Sequence, residues 1–175
     1  IGQAGTINKI RFYYDNGGTA LTTWESWRVL VGHTPKTDFV SNTDWIPVAG
    51  LTEVFNGVIT PVAGNWFDLN FTTPFVYDGT SNFVVAVDEN TPSYSCTAAF
   101  RSFTSGSNTG IYYYSDSNNP DPASPPSASS RNGNLAQLQV VFASTVAPGC
   151  AISFVPANAA TGVVRNPVLT WMEGP

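Results

Sequence analysis

"NWFDLNFTTPFVYDGTSNFVVAVD", residues 65 to 88, decides the fold class. In its first seven residues Phe67, Leu69 and Phe71 share one side, while Trp66, Asp68 and Asn70 share the other. A period of two is that of a strand with one face in a core. "YDGTSN" (77 to 82) has the glycine, aspartate and asparagine that turns use. "FVVAVD" (83 to 88) is apolar on both faces, which predicts a central position in its sheet.

The same pattern extends outward in both directions. "GTINKIRFYY" (5 to 14) places Ile10, Phe12 and Tyr14 on alternate positions, and "DNGGT" then turns the chain. "WRVLVG" (27 to 32) sets Val29 and Val31 opposite Leu30, and "LTEVFNGVIT" (51 to 60) is a further strand. "AAFRSFT" (98 to 104), "GIYYYSD" (110 to 116) and "LAQLQVVFA" (135 to 143) complete the set. No stretch carries a convincing apolar period of 3.6. Short strands separated by turn signals predict an all-β chain, folded as a two-sheet antiparallel, jelly-roll-like sandwich.

"SDSNNPDPASPPSASSRNGN" (115 to 134) has no strand character and reads as a mobile loop. "STVAPG" (144 to 149) has the small, Pro/Gly-containing composition of a linker. The expected division is a sandwich over 1–145, a linker at 146–150, and the first strands of a second sandwich over 151–175. The first residue is Ile1 and no signal peptide is evident, so the chain reads as processed or as a section of something longer.

With 175 residues, 42% hydrophobic and 13% aromatic, the chain has ample material for one good-sized core. Charged residues make up 11% and the formal charge is -5, which argues against nucleic acid as a partner, because a basic patch supplies most of that affinity. No apolar run reaches the roughly 18 residues of a membrane helix, so no membrane insertion is expected. Cys96 and Cys150 lie far apart without metal-site spacing. Two readings stay open: a disulfide between them, or Cys150 paired with a cysteine beyond Pro175. Either fits an oxidising, extracellular setting.

Catalytic groups are sparse. A serine or cysteine hydrolase needs a general base, and the one histidine, His33, lies in the turn "GHTPKT", where packing on or capping the turn is its expected role. The acidic residues sit mostly at turns and strand ends, where they bond local backbone, so no catalysis is expected. Calcium would seek oxygen ligands at Asp88 and Glu89, or at Asp116 and Asp121 in the long loop. A sharper reading concerns aromatics, because sugars stack on flat rings. Tyr112 and Tyr114 point to one side of their strand and Tyr113 to the other, so with Tyr113 inward the other two form an exposed pair beside a polar loop. Trp45 is a third ligand-contact candidate, with Trp24, Trp27 and Trp66 also available.

"VGHTPKTDF" (31 to 39), "DWIPVAGLTEVFNG" (44 to 57), residues 65 to 96 and "FRSFTSGSNTGIYY" (100 to 113) together resemble a β-sandwich module of large secreted proteins of Bacteroidota. The resemblance covers roughly residues 5 to 143. "CAISFVPANAATGVVRNPVLTW" (150 to 171) resembles the start of a fibronectin type III or Ig-like domain, with Trp171 placed like a core tryptophan. The resemblance implies a secreted or cell-surface protein, exported by the type IX route, of the kind found in adhesins, including gliding-related ones, and beside hydrolase domains. It carries no catalytic residues over.

Two functions follow as expectations. One is a non-catalytic adhesion or spacer module, whose partners are other modules of the same long chain, surface polysaccharide or other surface proteins. The alternative is a carbohydrate-binding accessory module of a secreted hydrolase. A further expectation is that "NPVLTW" (166 to 171) adds a strand to a neighbouring subunit.

Overall fold

The computed structural model describes residues 2–16, 23–92, 99–144, 149–155, 161 and 170–174. Strands run β1 (Gly5–Asn16), β2 (Trp24–Thr34), β3 (Thr52–Ile59), β4 (Asn65–Tyr77), β5 (Asn82–Glu89), β6 (Ala99–Phe100), β7 (Ser102–Thr104), β8 (Gly110–Tyr112), β9 (Ser130–Asn132), β10 (Asn134–Ala136), β11 (Leu138–Phe142), β12 (Gly149–Val155) and β13 (Thr170–Gly174). Among the described residues, helical structure is confined to one 3-10 turn at Val48–Gly50. Two compact units result, Ile1–Ala143 and Ser144–Pro175.

The larger unit is an antiparallel β-sandwich. One sheet has the order β11-β1-β4, with β6 also bonded to β1, and the other has the order β3-β2-β5. The chain passes between sheets from β1 to β2, from β3 to β4 and from β4 to β5. The inward side chains of both sheets form one core. At one end Phe12, Tyr14, Trp24, Trp27, Phe67 and Phe100 pack edge-on or tilted, with Phe12 and Trp27 centred 6.5 Å apart across the two sheets. At the other end the His33 ring packs on Phe75 and Tyr77, which both also meet Phe83. Such pairs add to the burial of their area, which is about 1.5–3 kcal/mol for each fully buried large apolar side chain.

Strand β1 does not keep a strict period of two. Ile7 and Ile10 are both fully buried although three residues apart. The register against both β4 and β11 shifts between Ile7 and Lys9, so a bulge at Asn8 restores the inward phase for Ile10, Phe12 and Tyr14. On β4 the partners jump from Phe75 to Asn70 at the same place. Pro74 sits in that interruption, where its missing N–H removes no ladder bond with β1. Thr72 Oγ1 fastens the interrupted segment to the Val54 carbonyl of β3 at 3.2 Å. β4 therefore runs on to Tyr77, past the seven residues whose alternation is plain in the sequence.

Strand β2 is inward at Trp27, Val29 and Val31, as the alternation predicts, while Leu30 is 2% exposed on the outer face. A Cβ at Gly32 would lie 2.6 Å from Leu51 Cδ2, so glycine there lets the segment before β3 close over β2. At Gly79 the backbone is left-handed (φ +80°) and lies against Ala4, which glycine alone accommodates cheaply.

Two expectations are corrected. β5 ends its sheet instead of lying centrally, because among the described residues it is bonded to β2 alone. Residues 130–132, inside the stretch read as loop, form β9 and pair with β8. The smaller unit pairs β12 with β13 antiparallel, joining Gly149 to Gly174 and Val155 to Thr170. β12 begins at Gly149, within the stretch expected as linker. Cys96, and the side chains of Cys150 and Trp171, lie outside the described residues, as does most of "NPVLTW".

Because Ile10 is inward only by virtue of the bulge, Ile10→Ala is expected to cost about 2–5 kcal/mol, with the exposed Asn8→Ala within about 0.5 kcal/mol of the parent. Urea denaturation checks this. Equal effects of the two substitutions would place the phase shift elsewhere.

Candidate ligand-contact surface

Two long connections meet beside the sandwich. The β2–β3 connection and the segment around the β8–β9 hairpin are joined by backbone bonds from Phe39 N to Asn108 O (2.8 Å) and from Ala128 N to Asn42 O (2.7 Å). Arg131 reinforces the junction, donating from Nε to Asn42 Oδ1 at 2.9 Å and from a terminal nitrogen to Phe39 O at 2.6 Å. Asp44 closes the first connection on itself by accepting from Lys36 Nζ and from Val40 N–H. The Lys36 hydrogen bond, then that from Val40, holds the Asp44 carboxyl below the usual carboxylate range. The end of the second connection, from Pro126 to Arg131, is thus bonded to the first, and Ala128 within it is buried.

Tyr112 and Tyr114 stand on this junction. They are 42% and 73% exposed, with centroids 6.3 Å apart and planes 26° from parallel, while Tyr113 is half-buried. Ser129 fixes the backbone beneath the pair: its N–H donates to Tyr112 O at 2.9 Å, and its Oγ accepts Tyr114 N–H at 3.2 Å. Trp45 is tied to the same segment by a 2.8 Å bond from Nε1 to Pro126 O. Its ring lines a shallow, open groove of about 350 Å³ together with Ile46, Pro47, Val48, Pro122 and Pro125. The indole is half-buried and its N–H is already engaged, so its face, not its polar edge, is what a ligand would meet.

The acidic candidates are not brought together. Asp88 and Glu89 are successive residues of β5 and so project to opposite faces of the sheet. Glu89 accepts the Thr91 N–H at 2.8 Å, and Asp121 accepts that of Ala123 at 2.8 Å, both local turn bonds. Asp116 is exposed. Among the described residues no three His, Cys, Asp or Glu gather where a metal ion would sit.

His33 caps a turn, though of the 78–81 segment instead of its own. Its Nε2 accepts the Asp78 N–H at 3.2 Å, and its ring stacks on Tyr77 at 5.5 Å. Ser81 Oγ donates to Asp78 Oδ2 at 2.5 Å, so this serine faces a carboxylate and not the imidazole. The Ser81 hydroxyl first, then the Ser81 and Thr80 N–H groups, hold the Asp78 carboxyl far below its usual range.

One surface escapes sequence reading. On the outer face of β1, Lys9 and Arg11 both bond Asp68 of β4 at 2.6 Å. Beside them the Arg101 guanidinium lies 3.9 Å above the Tyr13 ring and bonds Asp15 at 2.6 Å, while Tyr13 meets Trp66 edge-on at 5.4 Å. Outward parity marks Lys9, Arg11 and Tyr13, but parity does not reveal that β4 is the neighbouring strand.

In comparisons with known proteins, no family model, no curated protein and no solved structure matches the chain.

The depressed carboxyls set an acid limit. Asp78, Asp68 and Glu53 are each lowered from ordinary values of 3.8 or 4.5, so their contribution is fully present above those values and is lost as pH falls below them. Thermal midpoints are expected to hold from neutrality to about pH 5 and to fall between about pH 4 and 2. Asp78→Asn is expected to lower the midpoint at neutral pH and to flatten the acid fall. An unchanged slope would show that Asp78 titrates alike in folded and unfolded chains.

Proposed function

We propose that the larger unit is a non-catalytic contact module of a secreted or cell-surface bacterial protein, serving adhesion through carbohydrate held at Tyr112 and Tyr114. The observation that carries this reading is the exposed, near-parallel tyrosine pair on a backbone fixed by Ser129. Exposed rings held in one orientation lose little freedom on binding, and their faces attract the apolar C–H faces of sugar rings. The Ser- and Asn-rich stretch after Tyr114 offers hydroxyl and amide groups for sugar hydroxyls.

The secreted setting and export by the type IX route rest on the resemblance described above, together with low charge content. The non-catalytic part of the proposal draws support from His33, which is committed to a backbone N–H and to aromatic packing. An accessory module of a hydrolase is the second reading, favoured by the same pair with the Trp45 groove tied to the same segment; the two readings differ in the parent protein, not in the site.

The test is binding of the chain to a broad panel of immobilised polysaccharides. One glycan class is expected to bind, and Tyr112→Ala and Tyr114→Ala are each expected to weaken it about tenfold, with melting temperatures unchanged because both rings lie outside the core. Retention across the panel at background level, or binding indifferent to both substitutions, would overturn the proposal.

A further inference from the structure

β5 presents an unusual edge. It pairs with β2 over eight successive positions, from Trp27 opposite Glu89 to Thr34 opposite Asn82, without a register shift. Among the described residues no strand bonds its other side. Phe83 and Val85 contribute to the core, Val84 and Ala86 face outward half-buried, and Val87 is 41% exposed. Edge strands are ordinarily guarded by charged side chains, proline or a bulge; in "NFVVAVDE" the charges are confined to Asp88 and Glu89 at one end, and residues 83–87 have no charge, proline or register shift.

We propose that β5 pairs antiparallel with the same strand of a second copy of this chain, about a twofold axis at Val85. The sequence selects that register. It sets Val85 on the partner's Val85, Phe83 on the partner's Val87 and Val84 on the partner's Ala86, so every apolar residue meets an apolar one on its own face. It covers exposed Val87, and it places Asp88 opposite the partner's Asn82 and Glu89 opposite the partner's Ser81. Centring on Ala86 would instead set Asp88 and Glu89 against valine and phenylalanine, and centring on Asp88 would oppose two carboxylates. The contact is isologous and closes as a dimer, with one sheet continuous through both copies. It is independent of the tyrosine site.

Sedimentation equilibrium of the full chain over a wide concentration range tests the pairing. The parent is expected to dimerise. Asn82→Asp, which opposes carboxylates twice across the axis, is expected to raise the dissociation constant roughly fivefold to tenfold, and combining it with Asp88→Asn is expected to restore the parent value. Should Asn82→Asp impair folding by losing its bond to Lys36 O, Val87→Lys at an already exposed position decides by the same readout. A parent monomeric up to roughly millimolar concentration, or association unmoved by these changes, would overturn the proposal.

Discussion

Strand β1 is paired on both sides, by β4 and by β11, and everything else in the larger unit is arranged around that double ladder. The first described strand is thereby joined to the last strand of the sandwich, a contact between residues more than a hundred positions apart. Closing so long a loop is slow and entropically costly, so it must be offset by dense inward packing. The bulge at Asn8 makes that packing feasible, because it brings Ile7 and Ile10 to the same face while both neighbouring strands remain bonded.

From that frame the contact surface follows. β2 carries Trp24 and Trp27 into the aromatic end of the core, and its exit at Thr34 launches the connection that contains Lys36, Asn42, Asp44 and Trp45. That connection contains no strand before β3. It is held by what it touches: Arg131, Ala128 and Pro126, more than eighty positions further along the chain. Tyr112 and Tyr114 inherit their orientation from the same joint. A binding surface on loops needs such a scaffold, since an unanchored loop would pay the ordering entropy again at each encounter.

Where alternation holds, the sequence made the inward face legible, and it left the edges hidden. Alternation in 65–71 and 5–14 identifies inward residues, and the tyrosine pair is readable because Tyr112 and Tyr114 share parity. The two-sided apolar pattern of "FVVAVD" suggests centrality, yet it reports only that both faces touch something, which says nothing of the perpendicular direction in which strands bond. Asp88 and Glu89 look like a cluster when written side by side, although strand geometry parts them. The Trp45 to Pro126 bond and the stacking of Arg101 on Tyr13 join residues with no local signature, and only the tertiary fold brings them together.

The contact surface depends on the tyrosine pair standing on a fixed joint and not on a mobile loop. Amide hydrogen exchange at Ala128 and Ser129 tests it most directly, since these N–H groups bond Asn42 O and Tyr112 O. Protection at both sites is expected to lie well above that of the exposed Ser117 to Asn119 stretch and to approach that of β1. Exchange at Ala128 and Ser129 as fast as at Ser117 would contradict it, leaving the two rings without a platform.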